Sequence, residues 1–128
     1  MPTLIRPDTT LHYELAGTSG PRVLLVQGVG VTGEAWRRQV DALSESCQTL
    51  IFDNRGIGRS LPCGGPISIE AMAEDALALM DEVGWESAHV VGHSMGGLIC
   101  QQMAIDAPDR VRSLACICSF SRGKEAAR

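Results

Sequence analysis

Lysine is nearly missing from this sequence. Lys124 is the only one, the arginines are scattered, and the net charge is −4. Nucleic-acid binding is carried by clustered Lys and Arg, so an acidic chain of this kind is not expected to hold DNA or RNA. Long apolar runs are missing as well: no uninterrupted stretch approaches the roughly 20 residues that a membrane-spanning helix requires. The opening MPTLIRPDTT does not show the charged-then-apolar pattern of a secretory signal. Together these absences predict a cytoplasmic protein with no membrane partner.

Cysteine is present but unorganised. Cys47, Cys63, Cys100, Cys116 and Cys118 are odd in number and show no CxxC spacing, which favours neither a disulfide framework nor a zinc site. Cys116 and Cys118 stand two apart in an apolar run, and a strand there would place both on one face. They are expected as small buried core residues rather than metal ligands.

What remains is the composition of one soluble globular domain. Hydrophobic residues make up 45% and charged residues 20% of the 128, a balance that suits a packed core rather than a disordered or membrane chain. A chain of this length can bury roughly two-thirds of its unfolded surface.

Periodicity divides the chain into short elements. Residues 3–6 and 11–15 alternate and are separated by Pro7, Asp8, Thr9 and Thr10, whose turn chemistry predicts a β-hairpin. The continuous apolar run RVLLVQ, residues 22–27, reads as a strand covered on both faces. Trp36, Val40 and Leu43 then recur at helical spacing, and TLIFD supplies the next buried strand. Residues 54–66 are loop, rich in Gly and Pro. Ser68 is the expected N-cap of a helix that buries Met72, Ala76, Met80 and Val83 and ends at Gly84. AHVVGHS is another strand, followed by a helix from Met95 to Asp106 that Pro108 stops. SLACICSF, residues 113–120, is the last strand. A hairpin followed by alternating strands and helices predicts an α/β fold with a mostly parallel sheet and helices on both faces. No repeat or internal boundary divides residues 1–128. The tail GKEAAR is made of good helix formers and looks like an element just begun.

The first chemical question is set by VLLVQGVGVTGEAW, where Gly28, Gly30 and Gly33 are spaced G-x-G-x-x-G after a strand. Asp53 follows twenty residues later, where a dinucleotide-binding unit keeps its ribose-binding acid. That reading expects the helix to open inside the glycine motif, whereas Val31, Thr32 and Gly33 continue as loop. It also leaves a second motif unexplained.

That second motif is VVGHSMGG, in which Gly92, Ser94 and Gly96 form G-x-S-x-G between a strand and a helix. A serine on a strained strand-to-helix turn projects its hydroxyl above the sheet, and glycines remove side chains that would clash there. Three blocks in order, VLLVQGVG, FDNRGIGRS and GHSMGG, resemble the α/β-hydrolase family over nearly the whole chain. The resemblance implies that Ser94 is a nucleophile and that the main-chain N–H groups of Val29 and Met95 form an oxyanion hole. It implies no metal or organic cofactor, and a small-molecule acyl substrate such as an ester or lactone. The family usually has His where Gln27 stands; Gln can still hydrogen-bond and brace the loop. Asp53 and Arg55 are expected to pin neighbouring loops, and Trp36 is expected in the core rather than lining a pocket.

The family's nucleophile depends on an acid and a His that follow it in the chain. No histidine follows Ser94: His12 and His89 lie elsewhere, and His93 should project away from the hydroxyl. The later acids, Asp106, Asp109 and Glu125, read as helix-end and loop charges. The expectation is therefore an α/β-hydrolase core cut short before its later strands, nearly inactive alone and prone to associate through an exposed sheet edge. A non-catalytic interaction module on the same scaffold is the alternative.

Overall fold

The computed structural model describes residues 2–61 and 63–121. The tail from 123 to 128, with Lys124 and Glu125, lies outside the described residues. The hairpin is present: β1 (Thr3–Ile5) pairs antiparallel with β2 (Thr10–Ala16), with Leu4 opposite Leu11. The β2 strand then pairs antiparallel with β4 (Gln48–Phe52), and from there the sheet is parallel through β3 (Arg22–Val26), β5 (Ala88–His93) and β6 (Val111–Ile117). The resulting order is β1-β2-β4-β3-β5-β6.

Continuous apolar strands are found where both faces are covered. On one face, α2 (Ile69–Glu82) and α3 (Met95–Asp106) press Met72, Ala76, Leu79, Ile99 and Met103 against Leu24, Leu50 and Val90. On the other, α1 (Arg37–Leu43) and the 3-10 turn before it bring Val40 and Trp36 onto Val23, Leu25 and Ile51. The alternation within β3 follows from its period of two: Leu24 and Val26 face the first cluster, Val23 and Leu25 the second. Among the described residues, no helix is long and apolar enough to cross a membrane.

Local chemistry explains the helix ends. Ser68 accepts a hydrogen bond from the Ala71 N–H at 3.1 Å, which caps α2 as expected. Gly84 takes a φ of +75° just beyond that helix, a conformation that disfavours side-chain-bearing residues. Val83 is the C-cap and only half-buried, but it packs against the same core cluster as Met72, Ala76 and Met80.

The last strand departs further from the sequence reading. It begins at Val111 and ends at Ile117, so Cys118 lies outside it at a φ of +50° and does not share a strand face with Cys116. Neither cysteine is a core residue; both are exposed. The cause is position. Among the described residues β6 pairs only with β5 and forms the edge of the sheet, with residues 112–117 exposed on both faces. Cys100, by contrast, is fully buried on α3, and burial pushes its thiol up to about 12.

The upper loops are tied down by a buried ion-pair cluster. Arg55, on the loop after β4, donates to both carboxylate oxygens of Asp75 on α2, at 2.6 and 2.8 Å, and to Asp8 of the hairpin turn at 2.8 Å. Arg6 adds a further bond to Asp75 at 3.1 Å. Arg55 and Asp75 side chains are 4% and 1% exposed, whereas Asp8 is 27% exposed.

Removing one partner of a buried pair strands the other charge, so Asp75→Ala is expected to cost about 3–5 kcal/mol in urea unfolding. The outer Asp8→Ala should cost no more than about 1 kcal/mol; equal losses would show that burial does not set the strength of this cluster. Thiol alkylation provides a second check. At pH 8 only ~10⁻⁴ of Cys100 should be thiolate, so Cys116 and Cys118 should be modified in the native protein and Cys100 only after denaturation.

Candidate active site

The carboxyl ends of β3 and β5 meet at the two glycine motifs. At the end of β5, Ser94 adopts a φ of 56° and ψ of −122°, and α3 starts at the next residue. The turn is too tight for side chains on its glycines. A Cβ on Gly92 would run into the carbonyl of Gly96, and one on Gly96 would overlap the Val26 carbonyl oxygen. Two main-chain bonds and one from a side chain hold the strained residue in place. The Ser94 N–H donates to the Ile117 carbonyl at 3.0 Å, while its own carbonyl accepts from the Gly97 N–H at 3.0 Å and the Ser119 hydroxyl at 2.7 Å.

The loop after β3 lies directly against this turn. A Cβ on buried Gly28 would sit 3.1 Å from the Met95 nitrogen and 3.2 Å from Ser94 Cβ, so the absence of a side chain sets how closely the two backbones approach. The chain then reverses: Val31 N–H donates to the Gly28 carbonyl at 3.4 Å, and Gly30 takes a φ of +68°. Val29, at the tip, is 74% exposed. Among the described residues, neither the Val29 N–H nor the Met95 N–H has a hydrogen-bond partner, and the Ser94 hydroxyl makes no cap bond. The structure thus brings all three sequence-predicted site residues to one end of the sheet.

The third glycine has a different task. A Cβ on Gly33 would lie 2.7 Å from the Phe52 carbonyl oxygen, so this glycine lets the loop pass over β4. Its N–H donates to Asp53 Oδ1 at 2.8 Å. Asp53 Oδ2 accepts the Arg59 N–H at 3.0 Å, and the residue is 1% exposed. Both carboxylate oxygens are consumed inside the fold, which leaves no ribose-binding acid and removes the physical basis of the dinucleotide reading. Asp53 and Arg55 pin loops as expected.

Gln27 is buried beneath the loop. Its Oε1 accepts from the Gly28 N–H at 3.4 Å and meets His93 Nδ1 at 3.1 Å, while its carbonyl accepts from Asn54 Nδ2 at 2.9 Å. The His93 ring stands edge-on to Trp36, with centroids 6.4 Å apart and planes at 84°. Trp36 is 5% exposed and belongs to the core.

None of the three imidazoles bonds to Ser94. His93 is engaged with Gln27, His89 Nδ1 with the Ser113 hydroxyl at 2.6 Å, and His12 Nδ1 is buried without a partner among the described residues. Asp106 closes α3, which at 12 residues carries it about 18 Å from the serine. Its carboxylate accepts from Gln102 at 2.8 Å. Asp109 lies in the 3-10 turn beyond.

Sequence reasoning missed Ser119, whose hydroxyl braces the Ser94 carbonyl, and the partners of Arg55. A small polar residue just past a strand carries no local signal of such a role. Asp75 did carry one: it is an acid within the buried face of α2, where an unpaired charge is not tolerated.

This strand order, with a G-x-S-x-G turn at the carboxyl end of β5, defines an α/β-hydrolase core. Residues 21–127 match the family described as alpha/beta hydrolase fold, and the chain belongs to that family. The RutD protein of Azorhizobium caulinodans, named as a carbamate hydrolase, is 41% identical over 122 residues, covering 95% of this chain and 46% of its own. A hydrolase from Pseudomonas aeruginosa PA01 superposes with a TM-score of 0.90 at 32% identity, covering 98% of this chain and 49% of that one. The enol-lactonase from Burkholderia xenovorans LB400 gives 0.82 at 34% identity, over 88% and 45% of the two chains. The chain therefore spans about half the length of these relatives.

Strain at Ser94 has a measurable sign. A residue held outside the common backbone regions costs on the order of 1–3 kcal/mol, which glycine escapes at an entropic cost of roughly 0.5–1 kcal/mol. Ser94→Gly is accordingly expected to be more stable than Ser94→Ala by about 1 kcal/mol. Equal melting temperatures for the two variants would show that the turn is unstrained.

Proposed function

We propose that this chain carries the nucleophile and oxyanion-hole half of a serine hydrolase. Its substrate is an acyl compound with a heteroatom leaving group: an ester, a lactone or a carbamate. The observation that supports this reading is Ser94 on a strained turn, its hydroxyl making no cap bond, at the same end of the sheet as two main-chain N–H groups that lack partners among the described residues. The names of the relatives, a carbamate hydrolase and an enol-lactonase, fall within the same reaction class.

In this reading Ser94 Oγ attacks the substrate carbonyl carbon. Negative charge develops on the carbonyl oxygen, and the Val29 and Met95 N–H groups donate to it. The Met95 N–H also opens α3, so the positive end of the helix adds to the stabilisation. Collapse of the tetrahedral intermediate expels the alcohol or amine, and water then releases the acyl group from Ser94. These steps need no metal or organic cofactor. They do need a proton acceptor for Ser94 Oγ, and we assign it, with the acid that orients it, to positions outside the described residues. Losing such a base lowers turnover by up to about 10⁶-fold, with residual catalysis from the oxyanion donors.

A fluorophosphonate probe tests the proposal on the 128-residue protein. Slow labelling at Ser94 is expected, eliminated in Ser94→Ala, together with negligible turnover of p-nitrophenyl esters. Rapid turnover abolished by Ser94→Ala would disprove the absence of a base. No labelling at all would favour a non-catalytic interaction module on a hydrolase scaffold.

A further inference from the structure

The bond between Gln27 and His93 carries more information than its length. An amide oxygen accepts hydrogen bonds and cannot donate them, whereas a main-chain N–H can only donate. Gln27 Oε1 lies against the Gly28 N–H, and the flipped amide would set its NH₂ group against that donor. The oxygen orientation is thus fixed by the backbone. His93 Nδ1, 3.1 Å from the same oxygen, must then carry hydrogen. A neutral histidine free in water prefers to keep its proton on Nε2 instead, so the contact selects the less favoured form.

The two residues occupy matched positions. Gln27 precedes the loop that presents Val29, and His93 precedes Ser94. Their bond spans the gap between β3 and β5, which are parallel neighbours with Val26 opposite Gly92. Gln27 is only 6% exposed, its carbonyl is anchored by Asn54, and the edge of the His93 ring is set by Trp36. We propose that Gln27 and His93 form a positioning clamp that fixes the Gly28–Val29 backbone relative to Ser94, with His93 held as its Nδ1–H form. Its consequence for catalysis rests on the assignment of Val29 as an oxyanion donor. His93 is a hydrogen-bond donor to the loop and not the proton acceptor of Ser94.

The test separates the clamp from the hydrolase reading. Two-bond ¹H–¹⁵N correlation of the neutral His93 ring in the 128-residue chain is expected to show the Nδ1–H tautomer. Gln27→Met keeps the length and most of the volume but removes the acceptor. In that variant the Nε2–H form should predominate, and hydrogen exchange at the Gly28 amide should accelerate by up to about 10-fold, the worth of one hydrogen bond. Fluorophosphonate labelling of Ser94 should slow by a similar factor in both Gln27→Met and His93→Phe. An Nε2–H ring in the unsubstituted protein overturns the clamp, as does unchanged Gly28 exchange in Gln27→Met. Absence of labelling in the unsubstituted protein counts against the hydrolase reading alone, because ring tautomer and amide exchange decide the clamp either way.

Discussion

Everything at the carboxyl end of the sheet depends on how closely three stretches of backbone approach one another. The end of β3, the end of β5 and the first turn of α3 meet at distances that a single Cβ would prevent at Gly92 against Gly96 and at Gly96 against Val26, and would crowd at Gly28 against Met95. Main chain cannot retreat as a flexible side chain can, so the constraint is steric and absolute in direction. Ser94 stands within this junction at a φ of 56°, between the end of β5 and the start of α3. The same approach leaves the Met95 N–H, at the start of a helix, without a partner among the described residues. Strain and an unsatisfied donor are each unfavourable for stability, and the surrounding sheet must over-determine them.

That over-determination comes from two sources acting at different depths. Apolar burial on both faces of β3, β4 and β5 fixes the strands themselves. Beyond the strand ends, buried charged groups take over. Asp53 accepts from two loop N–H groups, and Arg55 links the loop after β4 to the hairpin turn and to α2. A buried ion pair gives little net stability compared with an apolar replacement, yet it is directional in a way that apolar contact is not. The bidentate Arg55–Asp75 contact fixes the angle of the loop as well as its position.

Strands and helices were legible because each has a period and a punctuation mark. RVLLVQ and TLIFD each hold an unbroken apolar stretch between polar ends, Ser68 caps, Gly84 terminates, and Pro108 stops. The elbow was legible because its glycines stand at fixed offsets from Ser94. Cys116 and Cys118 were misread because a two-residue spacing says where side chains point only while the strand lasts, and because apolar character does not reveal whether a face is covered. The G-x-G-x-x-G spacing was ambiguous for a similar reason. Glycine records only that a side chain is excluded; whether phosphate or backbone excludes it depends on neighbours such as Phe52, which lies nineteen residues beyond Gly33. Contacts such as Ser119 with Ser94 and Gln27 with His93 join residues 25 and 66 positions apart and have no local pattern at all.

The proposed hydrolase reading separates two tasks that are usually discussed as one. In the proposed reading, placing a nucleophile beneath main-chain donors is a task for backbone, and the junction of β3, β5 and α3 that would carry it is closed by contacts among the described residues. Accepting a proton is a task for a side chain with a suitable pKa, and none of the three imidazoles here bonds to Ser94. The first task needs a stiff, glycine-rich junction whose geometry is fixed when the sheet forms. The second can be met by any element able to reach the hydroxyl from outside that junction, whatever its place in the chain. On the proposed reading, preorganisation for acyl transfer would rest on this local junction, whereas proton transfer would not.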